Sequence, residues 1–115
     1  MIFGIGVDVV DVERFAATSQ RTPSVAQRVL TTSELEMPTE SQAVRFAAKE
    51  ALAKAIGKNS MNWQDVRVVN DQNGQPYFEF SDAGKSVLLK NNIKKVHISL
   101  SHDAGVATAF VIAES

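Results

Sequence analysis

The chain has 115 residues, a net charge of −1, 44% hydrophobic and 22% charged side chains, and no cysteine. That length predicts one domain, residues 1–115, with room for a single core. The near-neutral balance offers no broad basic surface for nucleic acid, and the missing cysteine excludes disulfides and thiolate-held zinc.

The opening MIFGIGVDVVDVERF meets charge too early for a signal peptide or a membrane span, so a cytoplasmic protein with no membrane partner is expected. Residues 2–10, IFGIGVDVV, are rich in β-branched side chains and predict a buried strand. Its period of two puts Phe3, Ile5, Val7 and Val9 on one face and Gly4, Gly6 and Asp8 on the other. The glycines are expected to leave their face open beside the Asp8 carboxylate. Asp11 is placed to cap a short helix, VERFAAT. Thr22 as a cap with Pro23 in the first helical position predicts a second helix, TPSVAQRVL. TTSELEMP reads as a brief capped turn stopped by Pro38.

A long helix follows, from about Ser41 to Ile56. Val44, Ala47, Ala48, Ala51, Leu52, Ala55 and Ile56 form its apolar stripe, and Gly57 ends it. DVRVV and PYFEF flank NDQNGQ, where Asn-Gly signals a hairpin. SDAGKSVLLKNN predicts a helix behind a serine cap. KVHISLS and GVATAFVIA predict two strands, with His102 and Asp103 in the loop between them. The class is α+β: a mostly antiparallel sheet packed against one long helix, plus short helices.

The charges on the long helix point to chemistry. Arg45 and Lys49 are four apart, as are Glu50 and Lys54, so each pair shares a face. Ion pairing at the surface would account for them. Asp8 adds a second possibility. A carboxylate at a strand end with glycines on its own face suits close approach by a ligand. Asp8 and Glu50 together can hold Mg²⁺, whose oxygen shell is usually completed by water and phosphate. Arg45, Lys49 and Lys54 would then serve the phosphates. Gly84-Lys85-Ser86 is not a phosphate-binding P-loop, because Glu79 stands where that motif needs glycine. In HISLSHD, Val96, Ile98 and Leu100 face one way and His97, Ser99 and Ser101 the other. No nucleophile elbow accompanies the histidines, and their spacing is not that of a helical zinc pair.

Three segments in order, FGIGVDVVDVERF, RVLTTSELE…RFAAKEALAKAIG and NDQNGQPYFEF…VHISLSHD, resemble the holo-acyl-carrier-protein synthases, the small 4′-phosphopantetheinyl transferases. The resemblance covers essentially the whole chain and implies the 4′-phosphopantetheinyl transferase fold. It also implies transfer of phosphopantetheine from coenzyme A, as substrate, to a serine of apo-acyl carrier protein, releasing adenosine 3′,5′-bisphosphate. By the same resemblance, Asp8 and Glu50 match the Mg²⁺-binding carboxylates and Lys54 the lysine near the pyrophosphate. Arg45, Lys49 and His102 match positions near the coenzyme. Arg14 matches a carrier-protein contact, and Arg21 falls in the same docking region. A homotrimer with sites at subunit boundaries is implied as well. The stretch MPTESQAV before Arg45 is shorter than in many members, and RTPSVAQR is less basic than in some. Both features point to the carrier surface, including a carrier domain within a larger synthase as an alternative partner. The serine proton is assigned either to Glu50 or to a metal-associated water. Two other classes fit the residues alone: another metal-dependent phosphoryl or nucleotidyl enzyme, and a non-catalytic binder of coenzyme A or carrier protein.

Overall fold

A computed structural model describes residues 1–115. The first strand, β1 (Ile2–Asp11), runs into α1 (Val12–Arg21), where Asp11 Oδ1 accepts the Arg14 amide proton at 2.8 Å. α1 extends past the expected VERFAAT to Arg21, and Thr22 closes it rather than capping the next helix. α2 (Ser24–Val29) therefore begins beyond Pro23, without a side-chain cap. α3 (Thr32–Leu35) carries a reciprocal capping box: Thr31 Oγ1 accepts the Glu34 amide proton at 3.3 Å, and Glu34 Oε1 accepts that of Thr31 at 2.9 Å. The long helix, α4 (Thr39–Ile56), begins directly after Pro38. It ends at Gly57, whose φ of +108° lies in a region that favours glycine.

A short 3-10 turn (Trp63–Asp65) leads to β2 (Val66–Asn70) and β3 (Pro76–Phe80), an antiparallel ribbon. Their connection is the five residues Asp71–Gln75, not a two-residue Asn-Gly turn. Asp71 Oδ1 accepts from the amides of Asn73 and Gln75, and only Gly74 is left-handed (φ +80°). α5 (Asp82–Lys90) is capped by Ser81, and Gly84 packs it against the Asp65 carbonyl, a contact role rather than a phosphate loop.

β4 (Lys95–Asp103) and β5 (Val106–Glu114) complete a second antiparallel sheet, in the order β1-β5-β4. His102 and Asp103 belong to β4 itself. The turn is Ala104-Gly105, both at positive φ, which a two-residue hairpin with the normal strand twist requires.

The core lies between this sheet and α4. All seven apolar stripe residues are buried, and all but Val44 share one core cluster with Ala109, Val111 and Ala113 of β5. The small side chains let helix and sheet approach closely. β1 corrects two expectations. Its glycine face is not open: a Cβ on Gly4 or Gly6 would collide with the carbonyl oxygens of Ala55 and Ala51. These glycines exist to admit the α4 backbone. The strand is also not buried on both faces. Ile5, Val7 and Val9 stand exposed, with Val9 at 63%, and pair across with Ile112, Phe110 and Thr108 of β5. The outer face of the sheet is thus an exposed apolar patch.

Candidate active site

The glycine contact decides where Asp8 sits. Because Gly4 and Gly6 bring β1 against α4, Asp8, next on the same strand face, reaches the helix as well. Lys54, in the last turn of α4, bridges the two elements. Its Nζ donates to the Val7 carbonyl at 2.8 Å and to Asp8 Oδ1 at 3.1 Å. Glu50, one helical turn before Lys54, is half-buried and lines a cleft of about 370 Å³ with Ala53, Lys54, Gly57 and Lys58. Burial raises the Glu50 pKa first, and the negative charge of Asp8 raises it further, while Lys58 and Lys54 pull it down. Two carboxylates close enough to oppose each other's ionisation form a locus where a cation is favoured. No cluster of three acidic or histidine ligands exists. Mg²⁺ does not need one, since it is commonly held by one or two carboxylates plus water and substrate phosphates. The donor set fits that ion.

Arg45 and His102 meet elsewhere. They line a cleft of about 490 Å³ with Ser41, Asn70, Gly74 and Leu100, between the first half of α4, the β2–β3 loop and the end of β4. Arg45 is held by its own chain, with Nε donating to the Val68 carbonyl at 3.2 Å and Nη1 to Ser41 at 3.3 Å. Burial lowers its pKa, and Glu34 opposes that shift. His102 Nδ1 lies 2.9 Å from Glu40 Oε1. Five helical positions separate Arg45 from Glu50, which turns their side chains about 140° apart. The two clefts therefore open on different sides of α4.

Lys49 departs from expectation. Its side chain has no exposed surface. Nζ sits 2.7 Å from Glu34 Oε1 and donates to the carbonyls of Val29 at 2.8 Å and Trp63 at 3.0 Å. All three ammonium protons are thus used inside the fold, so Lys49 has none left for a coenzyme. Arg14 and Arg21 are both exposed on α1, clear of either cleft. Sequence reasoning passed over Glu34, Glu40 and Lys58. Glu34 had a signal, since the capping box was legible, but its burial was not. Glu40 and Lys58 sit in short polar stretches without periodicity.

Comparisons with known proteins bear on the chain as a whole. A family model described as the 4′-phosphopantetheinyl transferase superfamily matches residues 4–111. The chain is 50% identical to a holo-[acyl-carrier-protein] synthase of Clavibacter sepedonicus, over 99% of this chain and 97% of that one. The crystal structure of the Neisseria meningitidis holo-[acyl-carrier-protein] synthase superposes with a TM-score of 0.89 at 34% identity, covering both chains completely. The Helicobacter pylori synthase, solved in complex with coenzyme A, gives a TM-score of 0.82 at 28% identity over 96% of this chain and 99% of that one. With its glycine-admitted helix, its Asp8–Lys54–Glu50 junction and this likeness along the full length, the chain belongs to the 4′-phosphopantetheinyl transferase superfamily.

Proposed function

We propose that this chain transfers the 4′-phosphopantetheine group of coenzyme A to a serine of apo-acyl carrier protein, leaving adenosine 3′,5′-bisphosphate. The observation that carries the reading is the meeting of Asp8, Glu50 and Lys54 across β1 and α4, in a chain similar end to end to named holo-[acyl-carrier-protein] synthases. Residues 1–115 act as one catalytic domain. Asp8 and Glu50 would hold Mg²⁺. Once bound, that ion supplies positive charge at the pyrophosphate oxygens. Lys54, fixed by Val7 and Asp8, presents its remaining proton toward the same charge. The serine oxygen bonds to the β-phosphorus, the bridging P–O bond breaks, and its electron pair leaves on the α-phosphate. The serine proton passes to Glu50 or to water. Incubating the protein with apo-acyl carrier protein, coenzyme A and Mg²⁺, then weighing the carrier by mass spectrometry, tests the reading. A gain of one phosphopantetheine supports it, and an unchanged carrier mass overturns it.

Arg45 and His102 serve coenzyme A at the second cleft. Because that cleft faces away from Glu50 within one chain, a single coenzyme would reach both groups most directly across a boundary between two copies. The exposed sheet face of Ile5, Val7, Val9 and Phe110 supplies the apolar surface such an assembly needs. A homotrimer follows as the proposed active form. Light scattering should give the mass of three chains for the parent, and Phe110→Asp should shift it toward one chain with loss of activity. A fully active monomer would refute the assembly.

Arg14 and Arg21 form the proposed carrier contact, with a free carrier protein or a carrier domain as partner. The near-neutral chain makes any attraction to an acidic carrier local. Such rim contacts act over about 8–10 Å at physiological salt. Arg14→Glu should therefore raise the KM for carrier severalfold and leave the KM for coenzyme A unchanged. Added salt should weaken carrier use by the parent more than by the variant. Steady-state kinetics with each substrate varied in turn checks this, and equal effects on both substrates would move Arg14 out of the docking surface. No helix is long and apolar enough to cross a membrane. The proposed substrates place the enzyme in the cytoplasm.

A further inference from the structure

Lys58 stands just past the end of α4, on a turn built to hold it. Gly57 reverses the chain at φ +108°. Ser60 Oγ lies 2.7 Å from the Ile56 carbonyl oxygen and 2.9 Å from that of Gly57, and the Ser60 amide donates to the same Gly57 carbonyl at 3.2 Å. Met61, buried in the main core, anchors the far side of the turn. The Lys58 backbone is thus fixed by hydrogen bonds on one flank and by packing on the other.

The position matters because Lys58 borders two adjoining clefts. In the first it shares the walls with Glu50 and Lys54. In the second, of about 410 Å³, it stands with Glu50 beside Val25, Phe46 and Trp63. The two lysines differ in what remains to them. Lys54 commits two donors to Val7 and Asp8. The exposed Lys58 side chain has no ion pair or hydrogen bond within the chain, so its ammonium group is available to a ligand.

We propose that Lys58 is a second phosphate-contacting residue of this site, binding non-bridging oxygens of the coenzyme A pyrophosphate and offsetting the charge that gathers on the departing α-phosphate. The inference rests on the transferase reading of the cleft. In that step the Ser O–P bond forms at the β-phosphorus as the bridging P–O bond breaks. The electron pair goes to the adenosine 3′,5′-bisphosphate oxygen and the serine proton to Glu50 or water. Lys58 takes no part in the bond changes and acts by its charge alone. A lysine ammonium suits this task as a compact point charge on a flexible stem.

The test uses Lys58→Ala and Lys58→Arg. The side chain is exposed, so both variants should melt with the parent. Kinetics are measured with coenzyme A and apo-carrier varied in turn, and coenzyme A is titrated calorimetrically into each protein with Mg²⁺ present. Lys58→Ala should lower kcat/KM for coenzyme A about tenfold and weaken its binding in the titration, where tenfold corresponds to about 1.4 kcal/mol. Lys58→Arg should restore most of the loss, and the KM for carrier should stay unchanged. Coenzyme A kinetics and affinity that do not respond to Lys58→Ala would overturn the proposal. So would an effect confined to the carrier KM, which would make Lys58 a docking residue. A parent that leaves the carrier unmodified would instead defeat the transferase reading. The titration would still judge Lys58, since equal coenzyme A affinity in parent and variant overturns its role.

Discussion

Glu50→Gln is expected to cut turnover by about 10²–10³-fold, the size of effect seen when one preorganised charge-stabilising group is removed, while making the apo-protein more stable at neutral pH. The first half follows from position: Glu50 and Asp8 are the carboxylates at the proposed Mg²⁺ locus, and glutamine offers only a neutral oxygen. The second half follows from the raised pKa, caused by burial and then by Asp8. A carboxyl whose folded pKa lies above its unfolded value favours the fold below the unfolded value. It loses that contribution as pH rises through the folded one. At neutral pH the ionised Glu50 therefore works against the fold, and glutamine removes the penalty. Thermal melts without Mg²⁺ should show the variant above the parent at pH 7, with the gap closing as the pH falls below about 4. Mg²⁺ should raise the melting temperature of the parent and barely move that of the variant. Wild-type turnover at limiting Mg²⁺ would contradict the assignment.

Lys49→Met should cost about 3–5 kcal/mol of folding stability, the range for stranding one member of a buried ion pair. Methionine keeps the length and loses the charge. Glu34, only 1% exposed, then keeps its bonds to the Val68 and Thr31 amides but faces the vacated ammonium position as an unpaired carboxylate. The carbonyls of Val29 and Trp63 lose their donor too. Burial lowers the Lys49 pKa, and the Glu34 hydrogen bond and charge oppose that shift, so the partner favours the charged form against the cost of burial. Adding Glu34→Gln to Lys49→Met should recover part of the loss, because a buried neutral amide is cheaper than a buried lone charge. Denaturant unfolding of both singles and the double reads the coupling directly. A single Lys49→Met variant as stable as the parent, with altered coenzyme A affinity, would return Lys49 to the coenzyme.

The contrast between Lys49 and Lys54 shows what could be read along the chain. Both stand at helical spacing in RFAAKEALAKA, and both look alike as solvated cations. Helical periodicity placed the apolar stripe of α4 correctly, because a face of alanine, valine, leucine and isoleucine has one low-energy partner, the core. Capping chemistry located Asp11 and Ser81, because an N-cap is settled by residues within three positions of one another, but it misplaced Thr22, which closes α1 instead of opening α2. The order of predicted elements carried the α+β class, and the resemblance carried the family. Its most specific parts are the Gly6-Val7-Asp8 strand and the RFAAKEALAKA helix taken together.

Tertiary structure decided the rest. Lys49 points at an acceptor set drawn from α2, α3 and the 3-10 turn, while Lys54 points at β1, and no local rule distinguishes the two directions. The glycines of β1 read as space for a ligand and proved to be space for the α4 backbone. Strand periodicity separates the two faces of β1 without saying which one the helix covers. It is the smaller face, since only glycine lets β1 come close enough to α4 for Lys54 to bridge to Asp8, and so the apolar face is left outside. The meeting of Asp8 with Glu50, and the separation of Arg45 from both, depend on contacts between residues about forty positions apart or on opposite sides of one helix. Such contacts are set by how the elements pack, a property that local sequence does not encode.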